Sequence, residues 1–104
     1  MSIYVDNARV KWRGRHWCHL VADSIDELHE FALQLGLKRK WFQSAASYPH
    51  YDVTLEIRQI ALNMGAIEGS RSEILRCART LKAQLMAERS KQPEQLSFFN
   101  YSCA

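Results

Sequence analysis

The stretch Trp17-Cys18-His19-Leu20-Val21-Ala22-Asp23-Ser24-Ile25-Asp26-Glu27-Leu28 changes its hydrophobic period halfway along, and the fold class follows from that change. Up to Ala22 the pattern has a period of two, as in a strand, with Cys18, Leu20 and Ala22 on one face and Trp17, His19 and Val21 on the other. Ser24-Ile25-Asp26-Glu27 is then a capping box, in which the serine side chain and the glutamate three residues later satisfy the first free N–H groups of a helix. Leu28, Phe31, Ala32 and Leu35 follow at helical spacing, and Gly36 supplies a stop. A strand therefore feeds directly into a helix, and both must bury one apolar face.

Working outward, Ile3-Tyr4-Val5 is a short β-branched and aromatic run ended by the turn-prone pair Asp6-Asn7. Arg9, Lys11, Arg13 and Arg15 alternate with Val10, Trp12, Gly14 and His16, a pattern expected to put four cations on one strand face. Lys38-Arg39-Lys40-Trp41-Phe42-Gln43 reads as another short strand, and residues 44–49 as a loop. Asp52 is expected to cap a second helix with the stripe Val53, Ile57, Ile60, Ala61 and Met64, stopped by Gly65. Ala66-Ile67-Glu68 reads as a last short strand. A second capping box, Ser70-Arg71-Ser72-Glu73, opens a third helix on Ile74, Ala78, Leu81 and Leu85. The expectation is an α/β or α+β fold, a small sheet of short strands packed against about three helices, with an extended tail. Residues 1–89 form the domain, and residues 90–104, which contain Pro93, form a linker and terminal peptide.

Composition narrows the function classes. With 104 residues and 47% hydrophobic content the chain suits one domain with a real core. No apolar run approaches the roughly 20 residues of a membrane span, and Met1-Ser2-Ile3-Tyr4 does not open a signal peptide. Cys18, Cys77 and Cys103 are an odd number at no metal-ligand spacing and suit a reducing cytoplasm, the first two as core residues. A net charge of +3 permits nucleic-acid contact without demanding it. The basic-aromatic segments around Trp12, Trp17 and Trp41 are the candidates for that contact, although tryptophans of this size are expected mostly in the core.

Several polar residues carry chemistry by type and position. His50-Tyr51-Asp52 lies between a proline-ended loop and the expected helix start, where N–H groups favour anions, and a histidine there can exchange a proton near neutral pH. His19 lies on a strand face. His19, His50 and Asp52 are the candidate catalytic residues, and Arg9, Arg39, Gln43, Tyr51 and Arg58 the candidate ligand-binding residues, the arginines as phosphate clamps. The plainer reading makes His19 a satisfied structural residue and Asp52 a helix cap. No His-x-His, Cys-x-x-Cys or His-Glu-x-x-His spacing occurs, so neither a metal nor a cofactor is expected. His19, Asp23, His29, His50 and Asp52 would meet only if the fold brought them together. The glycines are too scattered for a phosphate-binding loop, and no serine nucleophile motif is present.

Near the C-terminus, Gln95-Leu96-Ser97-Phe98-Phe99 resembles the peptide with which bacterial polymerases, mismatch-repair proteins and phage factors dock on the DNA sliding clamp. Four of five positions match the pattern Gln-Leu-Ser/Asp-Leu-Phe, and Phe98 stands where leucine is usual. Gln95 offers an amide to a pocket rim, while Leu96, Phe98 and Phe99 supply apolar anchors. The alternative is that Leu96, Phe98, Phe99 and Tyr101 fold back onto the domain's own core. Over Tyr4-Val5-Asp6, Arg9, His19, Ala22-Asp23, Glu27-Leu28-His29, Leu35-Gly36, Arg39, Trp41, Gln43, His50-Tyr51-Asp52, Arg58 and Gly65-Ala66, the body resembles a small uncharacterised domain family of phages and bacteria. That resemblance implies no activity.

Two functions are therefore expected. One is a small cytoplasmic interaction protein that docks on the bacterial sliding clamp in replication, repair or phage–host interplay. The other is a nucleotide- or phosphate-ligand-binding domain, or an enzyme, built on His19, Arg39, His50 and Asp52. Direct contact with nucleic acid fits either, and the residues leave a catalytic role open.

Overall fold

The computed structural model describes residues 2–44 and 48–90. The central strand is β3 (Arg15–Ala22). Along one edge it pairs antiparallel with β1 (Ile3–Val5) and, further along, with β2 (Val10–Trp12); along the other it pairs antiparallel with β4 (Tyr51–Thr54). The edges follow from shared partners: Leu20 pairs with both Val5 and Tyr51, and Trp17 with both Val10 and Thr54. Outside β1 lies β5 (Ile67–Glu68), paired parallel to it, so the sheet is mixed.

Alternation then sorts the side chains. Cys18, Leu20, Ala22, Tyr51, Val53 and Val5 are buried in the core. Val10, Trp12, Trp17, His19, Val21, Tyr4, Asp52 and Thr54 share the other face, as their register with β3 requires. The helix α1 (Ile25–Gln34) packs under the core face, where His29 hydrogen-bonds the hydroxyl of Tyr51. The helix α3 (Arg71–Ser90) crosses the opposite face, with the Arg76 guanidinium donating to the Tyr4 hydroxyl. Between β4 and β5, the helix α2 (Leu55–Asn63) carries the chain across β3 and β1. Leu28, Ala32, Cys77 and Leu81 complete the core, and each fully buried leucine contributes roughly 1.5–3 kcal/mol.

The helix ends obey local chemistry. Ser24 Oγ accepts the Glu27 N–H at 3.2 Å, and Ser70 Oγ accepts the Glu73 N–H at 3.2 Å while the Glu73 carboxylate accepts the Ser70 N–H at 2.8 Å. At the far ends Gly36 (φ +88°) and Gly65 (φ +110°) close two Schellman motifs. There the Leu37 and Ala66 N–H groups reach back 2.9 Å to the Ala32 and Ala61 carbonyls.

Four expectations change. Residues 9–16 are not one strand: Arg13 and Gly14 both have positive φ and form a two-residue hairpin turn between β2 and β3. Trp12 then pairs with Arg15 and Lys11 with His16, so Lys11 and Arg15 fall on opposite faces, and Arg9 and Arg13 lie outside the strands. Residues 38–43 form a 3-10 turn at Arg39–Trp41 rather than a strand, and Gln43 makes an isolated bridge to His50, just before β4. Tyr51–Thr54 is a strand rather than a helix start, because Tyr51 and Val53 alternate into the core; the cap of α2 is Thr54, whose Oγ1 accepts the Ile57 N–H. Shifting that helix turns Ile60 outward to 46% exposure and leaves Ala61 and Arg58 as its buried residues. The tryptophans are not core either: Trp12 is 56% and Trp41 47% exposed.

Candidate functional site

The site forms where β1 ends, β3 passes and β4 begins. Asp6 follows β1 directly and stays in register with His19: its N–H donates to the His19 carbonyl at 3.1 Å. Its carboxylate accepts the His19 N–H at 2.8 Å, the Ala8 N–H at 3.2 Å and His19 Nδ1 at 2.6 Å. The imidazole is thereby fixed in orientation, with Nε2 turned away from Asp6. On the opposite edge of β3, Asp52 pairs directly with His19, and His50 precedes it by the two residues that return a side chain to the same face. The His50 ring stands edge-on to that of His19, 4.9 Å between centroids. Its Nδ1 lies 2.8 Å from the Tyr48 carbonyl and its Nε2 3.2 Å from Asp52 Oδ1.

Charge follows geometry. The hydrogen bond that His19 donates to the Asp6 carboxylate raises its pKa above the ordinary imidazole value, against the opposing effect of burial and with help from the Asp6 and Asp52 charges. Burial pushes the Asp6 carboxyl upward, but the side-chain and backbone hydrogen bonds from His19 outweigh it and hold the pKa below the usual value. Two histidines and two carboxylates thus form one half-buried group on this face of the sheet.

His19 and His50 form a partition between two cavities. One, of about 680 Å³, lies under the start of α3 and is lined by Asp6, Val21, Tyr48, Gly69, Arg71 and Ile74 among others. The other, of about 880 Å³, is walled by Trp12, Trp17 and Trp41 with Lys40, Gln43 and Asp52. Volumes of this size suit a small-molecule ligand. The Arg13 guanidinium lies 4.6 Å from the centre of the Trp12 ring and Lys38 Nζ 5.7 Å from that of Trp41, so the aromatic walls carry cations.

Of the candidate residues, the fold joins His19, His50 and Asp52, and Gln43 lines the larger cavity. The others stand apart. Tyr51 is buried on the core face against His29. Arg58 is buried, its Nε donating to the Asp6 carbonyl at 2.8 Å and its Nη2 paired with Glu68 at 2.9 Å, so it braces the Asp6 backbone. Arg9 is exposed and bonded to Asn7. Arg39 is exposed on the 3-10 turn and lines neither cavity. Asp23 lies at the bottom of β3 with Cys77 and Arg76, and His29 on α1. Gln95, Leu96, Ser97, Phe98 and Phe99 lie outside the described residues.

Sequence reasoning missed Asp6, Tyr48 and Arg71. In the sequence Asp6 reads as a turn residue, and only the β1–β3 register reveals it as the partner of His19. Trp12 and Trp41 are expected in the core for their size, and the structure turns both outward; for Trp12 the signal is its place beside the Arg13-Gly14 turn.

No curated protein and no solved structure matches the chain. A family model described as "Protein of unknown function (DUF4031)" matches residues 3–81, a span that contains β1 through most of α3 and every residue of the His19, His50 and Asp52 group. The chain belongs to that family.

Proposed function

We propose that the domain binds a nucleotide or a nucleotide unit of nucleic acid, with the base in the tryptophan-walled cavity and a phosphate toward His19, His50 and Asp52. The observation that carries this reading is the cavity of about 880 Å³ whose walls are Trp12, Trp17 and Trp41 and whose floor includes both histidines. Every base has a stacking face, and aromatic stacking contributes about 1–3 kcal/mol per base. Lys40, inside the cavity, and Lys38 and Arg13, over the tryptophan rings, supply the positive charge that a phosphate chain follows. The test is a titration of the full chain with nucleoside 5′-phosphates and short single-stranded oligonucleotides, followed by tryptophan fluorescence. Saturable quenching that Trp12→Ala weakens supports the reading, and no quenching by any of these ligands rejects it.

A second reading concerns the C-terminus and rests on sequence. Gln95-Leu96-Ser97-Phe98-Phe99 is a docking peptide for the bacterial DNA sliding clamp, which would deliver the domain to DNA in replication, repair or phage–host interplay. Short peptides lose ordering entropy on binding, so an affinity on the order of micromolar is expected. Replacing Leu96 and Phe99 by alanine should weaken clamp binding by at least about 2 kcal/mol in a pull-down or titration with purified clamp. Equal binding by the doubly substituted chain would show the motif to be coincidental.

A further inference from the structure

We propose that His19, His50 and Asp52 hold a divalent transition-metal ion, through the Nε2 atoms of the two histidines and a carboxylate oxygen of Asp52. One ligand atom from each residue lies within 4.8 Å of the others, and His50 Nε2 is 3.2 Å from Asp52 Oδ1. At metal–ligand bonds of about 2.0–2.2 Å, two ligands of a tetrahedral ion stand about 3.4 Å apart. The His50–Asp52 pair therefore already has the spacing that shared coordination requires, and a ring nitrogen of His19 lies within 4.8 Å of both.

The hydrogen bonds behind the rings point the same way. A carbonyl oxygen only accepts, so His50 Nδ1, 2.8 Å from the Tyr48 carbonyl, carries its proton. His19 Nδ1 is likewise given over to the Asp6 carboxylate at 2.6 Å. Each ring therefore presents Nε2 to the shared centre. A histidine whose far nitrogen is tied to a carboxylate or a backbone carbonyl is the usual arrangement of metal-ligating imidazoles. In neutral His50, Nε2 would bring a lone pair against the Asp52 carboxylate, and a cation between them relieves that repulsion. The balance of charge agrees: Asp6 and Asp52 together offset a dipositive ion.

The donor set also selects the ion. Two imidazoles and one carboxylate suit zinc, iron, cobalt or nickel, whereas magnesium and calcium take all-oxygen sets. Three protein ligands leave coordination positions free, and because His19 and His50 line both cavities, those positions face space in which a water or a phosphate oxygen can bind. The inference deepens the nucleotide reading, since a metal would neutralise the phosphate that Asp52 otherwise repels. It does not depend on that reading.

The test uses the full chain, stripped of metal by a chelator and titrated without nucleotide. Cobalt(II) is followed by its visible absorption and zinc by calorimetry. One ion per chain is expected. Asp52→Asn and His50→Ala should abolish the cobalt band while circular dichroism still reports a folded domain. Asp6→Asn, which leaves all three ligands in place, should weaken affinity about 10- to 100-fold with the stoichiometry kept at one. Should either ligand variant fail to fold, the Asp6→Asn titration decides in its place. No stoichiometric binding by the parent chain overturns the inference, as does binding unchanged in the folded Asp52→Asn or His50→Ala chain. Metal binding without nucleotide quenching would uphold the metal site and reject the nucleotide reading. Quenching that survives chelation, in a chain that takes no metal, would do the reverse.

Discussion

Asp6 and His19 are joined at three points: the Asp6 N–H donates to the His19 carbonyl at 3.1 Å, the Asp6 carboxylate accepts the His19 N–H at 2.8 Å, and its other oxygen meets His19 Nδ1 at 2.6 Å. The backbone pairing that ends β1 is thus also the bond that aims the imidazole. A side chain that both closes a ladder and orients a functional ring couples the stability of the sheet edge to the chemistry of the site.

In the metal-free protein this pair fixes a pH window. His19 has a folded pKa above 6.5, so its stabilisation is fully present below 6.5 and is lost as pH rises through the raised value. Asp6 has a folded pKa below 3.8, so its stabilisation is present above 3.8 and is lost as pH falls through the depressed value. The pair therefore contributes most between those limits. In Asp6→Asn, histidine NMR should show His19 titrating at lower pH than in the parent. The destabilisation measured by urea should be larger at about pH 5.5 than at about pH 8.

His29 works in the opposite sense. Burial, aided by the Arg39 charge, lowers its pKa below 6.5, so protonation is resisted in the folded state and stability falls as pH drops through 6.5. Its Nδ1 lies 2.8 Å from the buried Tyr51 hydroxyl. Tyr51→Phe leaves the imidazole without that partner and should cost about 1–3 kcal/mol in equilibrium unfolding. Nucleotide and metal binding should not change, because Tyr51 faces the core.

The framework of α3 should respond by position. Leu81 is completely buried, and Leu81→Ala should cost about 2–5 kcal/mol. Ser70→Ala removes the acceptor for the Glu73 N–H and should cost about 1 kcal/mol. Chemical denaturation of the two variants checks both values and their order.

Trp12 and Trp41 separate stability from binding. Both are about half exposed, so alanine at either removes the buried half of the ring and should cost about 1–3 kcal/mol of stability while the domain stays folded. Each should weaken binding of a single-stranded oligonucleotide by about 1–3 kcal/mol. A thermal melt beside a fluorescence titration reads the two effects independently.

Cys18 and Cys77 are buried free thiols. Burial, reinforced by the hydrogen bond to the Asp23 carboxylate, pushes the Cys77 thiol up to about 11. Neither should react with iodoacetamide at neutral pH until the domain is unfolded, which mass spectrometry with and without urea would show.

Particular elements show where sequence reasoning succeeds. The alternation of Cys18, Leu20 and Ala22 and the capping boxes at Ser24 and Ser70 were legible because a cap or a strand face depends on residues a few positions apart. The same is true of the stops at Gly36 and Gly65. Tyr51–Thr54 defeated that reading because a four-residue segment carries both periods weakly, and pairing with β3 decided between them.

The sequence by itself determined the strand-to-helix grammar of the chain, both ends of α1, the stop of α2, the start of α3 and most of the core, because propensity, capping and periodicity act over one or two turns. The tertiary structure alone decided that Asp6, His19, His50 and Asp52 meet, that Arg58 braces them and that the tryptophans face outward. The site residues come from the end of β1, from β3, from the start of β4 and from α2, and their proximity is set by strand register and by the path of α2 across the sheet. Register is a long-range property: it depends on which apolar faces can be buried together, and no local spacing encodes it.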